Sequence, residues 1–184
     1  MQTYRILAPL LAFTIAFSAC NNAEKSTKAG QEEAIVDSIS MVHLPDSAIS
    51  ENLNIQETGT ELRMVVLNEV LFEEGTAKIQ EEGQHILEQA AILLNTRGDG
   101  KVMITGNSGS EGDSEENLNL SKERAKVVFD FLNTQTLKTG LNLQYQGVGN
   151  QYPMMEETNA DGTPNERNKR INQRVEIVSR RLQQ

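Results

Sequence analysis

Residues 104–125 read ITGNSGSEGDSEENLNLSKERA. An apolar strand end, Ile104–Thr105, runs into a loop punctuated by Gly106, Gly109 and Gly112, and the loop feeds a helical pattern that carries Arg124. A strand, a glycine-rich loop and a helix in this order usually mean that an anionic or zwitterionic group is bound there, since loop N–H groups and a helix start favour such ligands. The loop is not a phosphate loop, since no Gly-Lys-Ser/Thr follows it and no GxGxxG is present. Each glycine taken singly reads as a turn residue needing positive φ.

On either side of this stretch the chain alternates strand and helix patterns. ISENLNIQ and ELRMVVLNEVLF, joined by ETGT, read as a hairpin whose second strand closes at Phe72. EEGTAKIQ turns the chain into a helix in which Ile79, Ile86, Leu87, Ala90, Leu93 and Leu94 mark one apolar face. That helix is predicted to end near Asn95, before the turn residues TRGDG, and KVMITG is the next strand. In the second helix Ala125, Val128, Phe129 and Leu132 fall at helical spacing, and Ser121 is the predicted N-cap, which places Arg124 in the first turn against the helix dipole. LNLQYQG alternates with Leu141, Leu143 and Tyr145 on one side, and NQRVEIV puts Val175 and Ile177 opposite Arg174 and Glu176. The expected fold is α+β, a two-layer sandwich of a mixed sheet with two main helices on one face. Residues 49–180 form the domain.

The first 19 residues are a different material. MQTYR carries a positive charge, ILAPLLAFTIAF is an apolar run too short for the roughly 20 residues that span a bilayer, and small residues lead to FSAC. The only cysteine, Cys20, directly follows Ser18-Ala19, which resembles a bacterial lipobox. That resemblance implies cleavage before Cys20 and its acylation; two or three acyl chains anchor a protein stably, at about 0.8 kcal/mol per buried methylene. NNAEKSTKAGQEEA then reads as a flexible tether within residues 20–48. Residues 35–48, IVDSISMVHLPDSA, read as a short strand or a turn docked on the domain.

Composition narrows the chemistry. The formal net charge of −9 over 184 residues disfavours nucleic acid as a partner. One cysteine precludes an internal disulfide, and His43 and His85 show no ligand spacing, so neither a metal centre nor a histidine-based triad is supported. No cofactor is expected and the chain does not read as an enzyme. The acidic pairs, Glu156-Glu157 among them, read as solvated surface, and the polar segment 150–171 is assigned no chemistry.

From about Glu61 to Val178 the chain resembles the OmpA-like domain family. The family's loop and helix landmarks fall, with spacing kept, at Gly106, Asn107, Ser108, Gly109, Gly112, Asn117, Leu120-Ser121 and Arg124-Ala125. Its flanking landmarks appear as Leu71-Phe72, Gly75-Thr76-Ala77, Gly147, Gly149, Pro153 and Asn172 to Glu176. The resemblance implies a lipoprotein of the outer membrane, anchored by lipid with its domain in the periplasm. It further implies that the domain grips the diaminopimelate-bearing stem peptide of peptidoglycan noncovalently. Carried over residue by residue, the ligand site is Asn107, Ser108, Gly109, Asn117 and Arg124, with Arg174 lining it or paired across strands. In the family an aspartate at position 109 takes the ligand ammonium and an arginine at 124 takes its carboxylate.

Here the aspartate is Gly109, the family's loop histidine is Asn107 and Ser108 stands for threonine. A charge-assisted hydrogen bond contributes about 1.5–3 kcal/mol, so losing the anion implies roughly tenfold to hundredfold weaker binding. Asp113 or Glu111, on the same loop, is the expected substitute. The alternative reading is a degenerate scaffold that has given up the wall and serves as a protein-interaction module with envelope partners.

Overall fold

A computed structural model of the chain describes residues 49–182. The predicted signal, the Cys20 attachment point and the tether lie outside the described residues. Five strands and four helices follow in order: β1 (Asn54–Glu57), β2 (Glu61–Leu67), α1 (Asn68–Leu71), α2 (Glu81–Arg97), β3 (Gly98–Gly106), α3 (Ser114–Gln135), β4 (Asn142–Gly147), α4 (Glu166–Asn172) and β5 (Arg174–Arg181). The sheet order is β1-β2-β5-β3-β4, with β3 and β4 parallel and every other pair antiparallel. The fold is thus the α+β, mixed-sheet architecture expected.

Register explains the two faces. Met64 pairs with Ile177, Ile177 with Ile104, and Ile104 with Tyr145, so period-2 alternation places all four on one side. With Leu62, Val66, Val102 and Val175 they meet Ile86, Leu87, Ala90 and Leu94 of α2 and Ala125, Val128 and Leu132 of α3, in one buried cluster. Each such side chain contributes about 1.5–3 kcal/mol on burial. The opposite face carries Arg63, Val65, Arg174 and Glu176 and has no helix layer of this size.

Several boundaries differ from the sequence reading. The second strand stops at Leu67, because Asn68–Leu71 coils into a single helical turn. Phe72 then forms an isolated bridge with Ile79, which puts Ile79 before α2 rather than inside it. Helix α2 runs to Arg97, and the glycines expected to form a turn instead open β3, where Gly100 at φ 63° accompanies a register shift between Asp99 and Val102. The polar segment before β5 holds a bridge, Thr158 to Pro164, and the whole of α4.

The start of α3 is the difference that matters most for the site. Its N-cap is Asp113, whose carboxylate accepts from Glu115 N and Glu116 N at 2.9 and 3.0 Å. The helix therefore begins seven residues before Ser121, and Arg124 lies in its interior, away from the first turn. The predicted opposition between Arg124 and the helix dipole does not arise.

Candidate functional site

The loop after β3 is held rigidly from three sides. Asn107 N donates to Arg174 O at 2.9 Å and Ser108 N to Gly149 O at 2.8 Å. From α1, Asn68 Nδ2 donates to Asn107 O at 2.9 Å. Asn107 and Ser108 are consequently buried, at 3% and 6% exposure. Among the described residues, the hydroxyl of Ser108 and Oδ1 of Asn68 have no hydrogen-bond partner.

Close packing, rather than turn conformation, accounts for Gly106. It stands opposite Gly147 in the β3–β4 register, and both face the Ser121–Lys122 backbone of α3 with no room for a side chain. Ser121 is buried there; its hydroxyl donates to Leu118 O and accepts from Gly149 N at 3.0 Å, which ties the β4 exit to the helix. Of the three loop glycines only Gly112, at φ 84°, has the left-handed backbone predicted for them all.

Arg124 is 7% exposed. Its Nε donates to Thr76 O at 2.8 Å, and its guanidinium lies 5.2 Å from the centre of the Phe72 ring. Among the described residues no carboxylate pairs with it. Burial pushes its pKa down, which is the signature of a cation lacking compensation. A guanidinium in this condition is available to a bidentate anion at its remaining N–H groups.

Two other carried-over residues are tied up within the fold, Asn117 half-buried and Arg174 buried. Asn117 Nδ2 donates to Glu111 O, bracing the loop backbone. Arg174 is 3% exposed; its Nε donates to Glu176 Oε1 at 2.8 Å, and its other nitrogens reach Asn172 O and Tyr152 O. Instead of the cross-strand pair held open for it, Arg174 makes an ion pair along its own strand with Glu176, and it is Glu176 that reaches across to Arg63.

The expected substitutes for the missing aspartate are both committed elsewhere. Asp113 caps α3, and Glu111 pairs with Lys169, which also holds Glu166 at 3.0 Å. The carboxylate that does reach the loop is Glu157, read from the sequence as solvated surface. Its Oε2 accepts from Ser110 N at 3.2 Å and from the Ser110 hydroxyl, while Oε1 accepts from Asn172 Nδ2 at 2.8 Å. Burial opposes ionisation of Glu157, but those hydrogen bonds and the charge of Lys169 outweigh it and hold the carboxyl below its usual range. Asn172, 1% exposed, completes the junction by accepting from Met154 N and Met155 N. Beside the loop, Gln173 packs over Gly109, with its Nε2 3.1 Å from where a β-carbon would stand.

Two grooves lie apart from this region. One of about 320 Å³ includes Val65, Leu67, Met154 and Ile171, on the face opposite α2 and α3; another of about 400 Å³ includes Leu53, Ile55 and Arg97.

Comparison with known proteins agrees with this fold. The probable lipoprotein YiaD of Escherichia coli (strain K12) is 27% identical over 135 residues, which are 73% of this chain and 58% of that relative. The chain thus spans less than two-thirds of that relative's length. The cell wall anchor of the T6SS from Pseudomonas aeruginosa shares the fold at a TM-score of 0.58 and 23% identity, over 72% of this chain and 90% of that one. A putative MotB-like protein from Desulfovibrio vulgaris does so at 0.59 and 18% identity, over 83% and 88%. The model of the OmpA family matches residues 71–169, more than half of the chain, from the residue before Phe72 through the loop and Arg124 to α4. The chain belongs to the OmpA family.

Proposed function

We propose that this chain is a lipoprotein of the outer membrane whose domain binds peptidoglycan noncovalently and so links that membrane to the cell wall. Acyl groups on Cys20 are the anchor, the periplasm is the domain's compartment, and the stem peptide of the wall is the ligand. The observation that carries this reading is Arg124: a buried guanidinium over Phe72 with no carboxylate beside it among the described residues. Holding an uncompensated cation there costs stability, and a carboxylate ligand would remove the cost. Membership of the family and the lipoprotein and cell wall anchor among its likenesses support the reading. It is tested by sedimenting the full chain, in mild detergent, with purified sacculi. Native protein is expected in the pellet and Arg124→Ala in the supernatant; equal amounts of both in the pellet would refute it.

Gly109 favours a second reading, a scaffold that has left the wall for protein partners in the envelope. Under it the native chain stays in the supernatant and Gly109→Asp alone enters the pellet.

A further inference from the structure

We propose that Glu157 is the anion of the ligand site, supplying from the segment before α4 the negative charge that position 109 lacks, and that it receives an ammonium group of the wall peptide. This inference rests on the wall-binding reading above.

The placement is specific. Ser110 N belongs to the peptide bond that follows Gly109, and a carboxylate oxygen of Glu157 lies 3.2 Å from it. The charge is therefore held one peptide away from the position of the absent aspartate, by a residue 47 positions along the chain. The carboxylate is also fixed: Ser110 grips one oxygen by two donors and Asn172 grips the other. A carboxylate has about four acceptor positions, so these three donors leave room for one more N–H. Glu157 remains partly exposed, so a ligand can reach it, whereas Asp113 and Glu111 are occupied by the α3 cap and by Lys169.

The local charge has the right sign. Glu111 and Glu166 share the one ammonium of Lys169, whose charge also helps to keep Glu157 ionised. On the α3 side, no carboxylate among the described residues balances the guanidinium of Arg124. A loop followed by a helix that carries an unpaired cation, and held from the segment before α4 by an anion, suits a ligand bearing both a carboxylate and an ammonium.

The experiment compares the full chain with Glu157→Gln, Arg124→Ala and the exchange Gly109→Asp/Glu157→Gln. Each is sedimented with sacculi and with sacculi whose free amino groups have been acetylated. Glutamine retains an acceptor for Ser110 but turns an amide N–H2 toward Asn172 Nδ2, so circular dichroism and a melting curve establish that each variant is folded before it is sedimented. Glu157→Gln is expected to weaken binding to untreated sacculi about tenfold or more. Acetylation should weaken the native chain by a similar factor and leave Glu157→Gln unchanged, and the exchange variant should recover both binding and sensitivity to acetylation. If the native chain binds through Arg124 but Glu157→Gln binds equally well, or loses affinity to acetylation as the native chain does, this inference is overturned and the wall-binding reading stands. If the native chain does not bind, or Arg124→Ala binds as it does, the reading beneath falls with it.

Discussion

The backbone of Ser121 occupies the space in which a side chain at Gly106 would have to stand. The helix that carries Arg124 is thereby seated directly on the end of β3, with Gly147 as the second half of the seat.

Because the obstruction is backbone, Gly106→Ala cannot be relieved by turning a side chain. We expect it to destabilise the domain by about 3 kcal/mol, the upper end of overpacking effects. Urea unfolding measures this. Gly147→Ala should cost a similar amount, and the double variant less than the two together, since one outward movement of α3 accommodates both.

Arg124→Met separates binding from folding. Methionine keeps an apolar stem over Phe72 and removes a desolvated charge, so stability should stay within about 1 kcal/mol of native. Pelleting with sacculi should be lost. A large fall in melting temperature would show instead that the arginine is structural.

Arg174 should behave in the opposite way. Its guanidinium is enclosed with Glu176 and two carbonyls. Removing it leaves those acceptors short of donors, although Arg63 still reaches Glu176. Arg174→Ala is expected to cost about 2–3 kcal/mol in chemical unfolding. Whatever fraction remains folded should sediment with sacculi as the native chain does.

Glu157 sets a pH dependence. Its folded pKa lies below the ordinary value of 4.5, so its contribution to stability is complete above that value and is lost as pH falls through the folded pKa. Melting temperatures recorded from pH 6 downward should fall less steeply for Glu157→Gln than for the native chain. Parallel curves would mean that the Ser110–Glu157–Asn172 junction does not respond to this proton.

Asn172 offers a test of the same junction from the other side. Its carboxamide accepts two N–H groups and donates to Met155 O and Glu157. Asn172→Ala should destabilise the domain by about 1–3 kcal/mol, because partly buried backbone groups lose their partners. Amide exchange should accelerate first at Met154 and Met155.

What could be read from the sequence was whatever repeats at a fixed period. Leu143 and Tyr145, Val175 and Ile177, and the Ile86–Leu94 stripe fall where alternation and helical spacing put them, because core burial imposes those periods. Helix α4 escaped because ERNKRIN holds a single apolar residue and so carries no stripe. The opening turns of α3 escaped for the same reason: SEENLNLS is mostly polar, and residue type does not choose between Ser121 and Asp113, which cap equally well; Asp113 holds the position. At the candidate site, family landmarks located the loop and Arg124. The bond between Ser110 and Glu157 joins two polar segments far apart in the chain, and no local pattern announces it. The inward turn of Arg174 depended likewise on the approach of Tyr152.

The position of β5 has a consequence for how the domain comes into being. It lies between β2 and β3, although it is the last strand of the described residues. Until it arrives, the β1–β2 hairpin and the β3–β4 pair have no hydrogen-bonded strand between them, and the gap to be filled is two strand spacings, about 9–10 Å. Nucleation must therefore await contacts between distant parts of the chain, which slows folding relative to a sheet built in sequence order. A nascent polypeptide ending before Arg174 would hold two half-sheets and an unshielded apolar face, so a single cut in the segment before α4 should undo the whole domain at once.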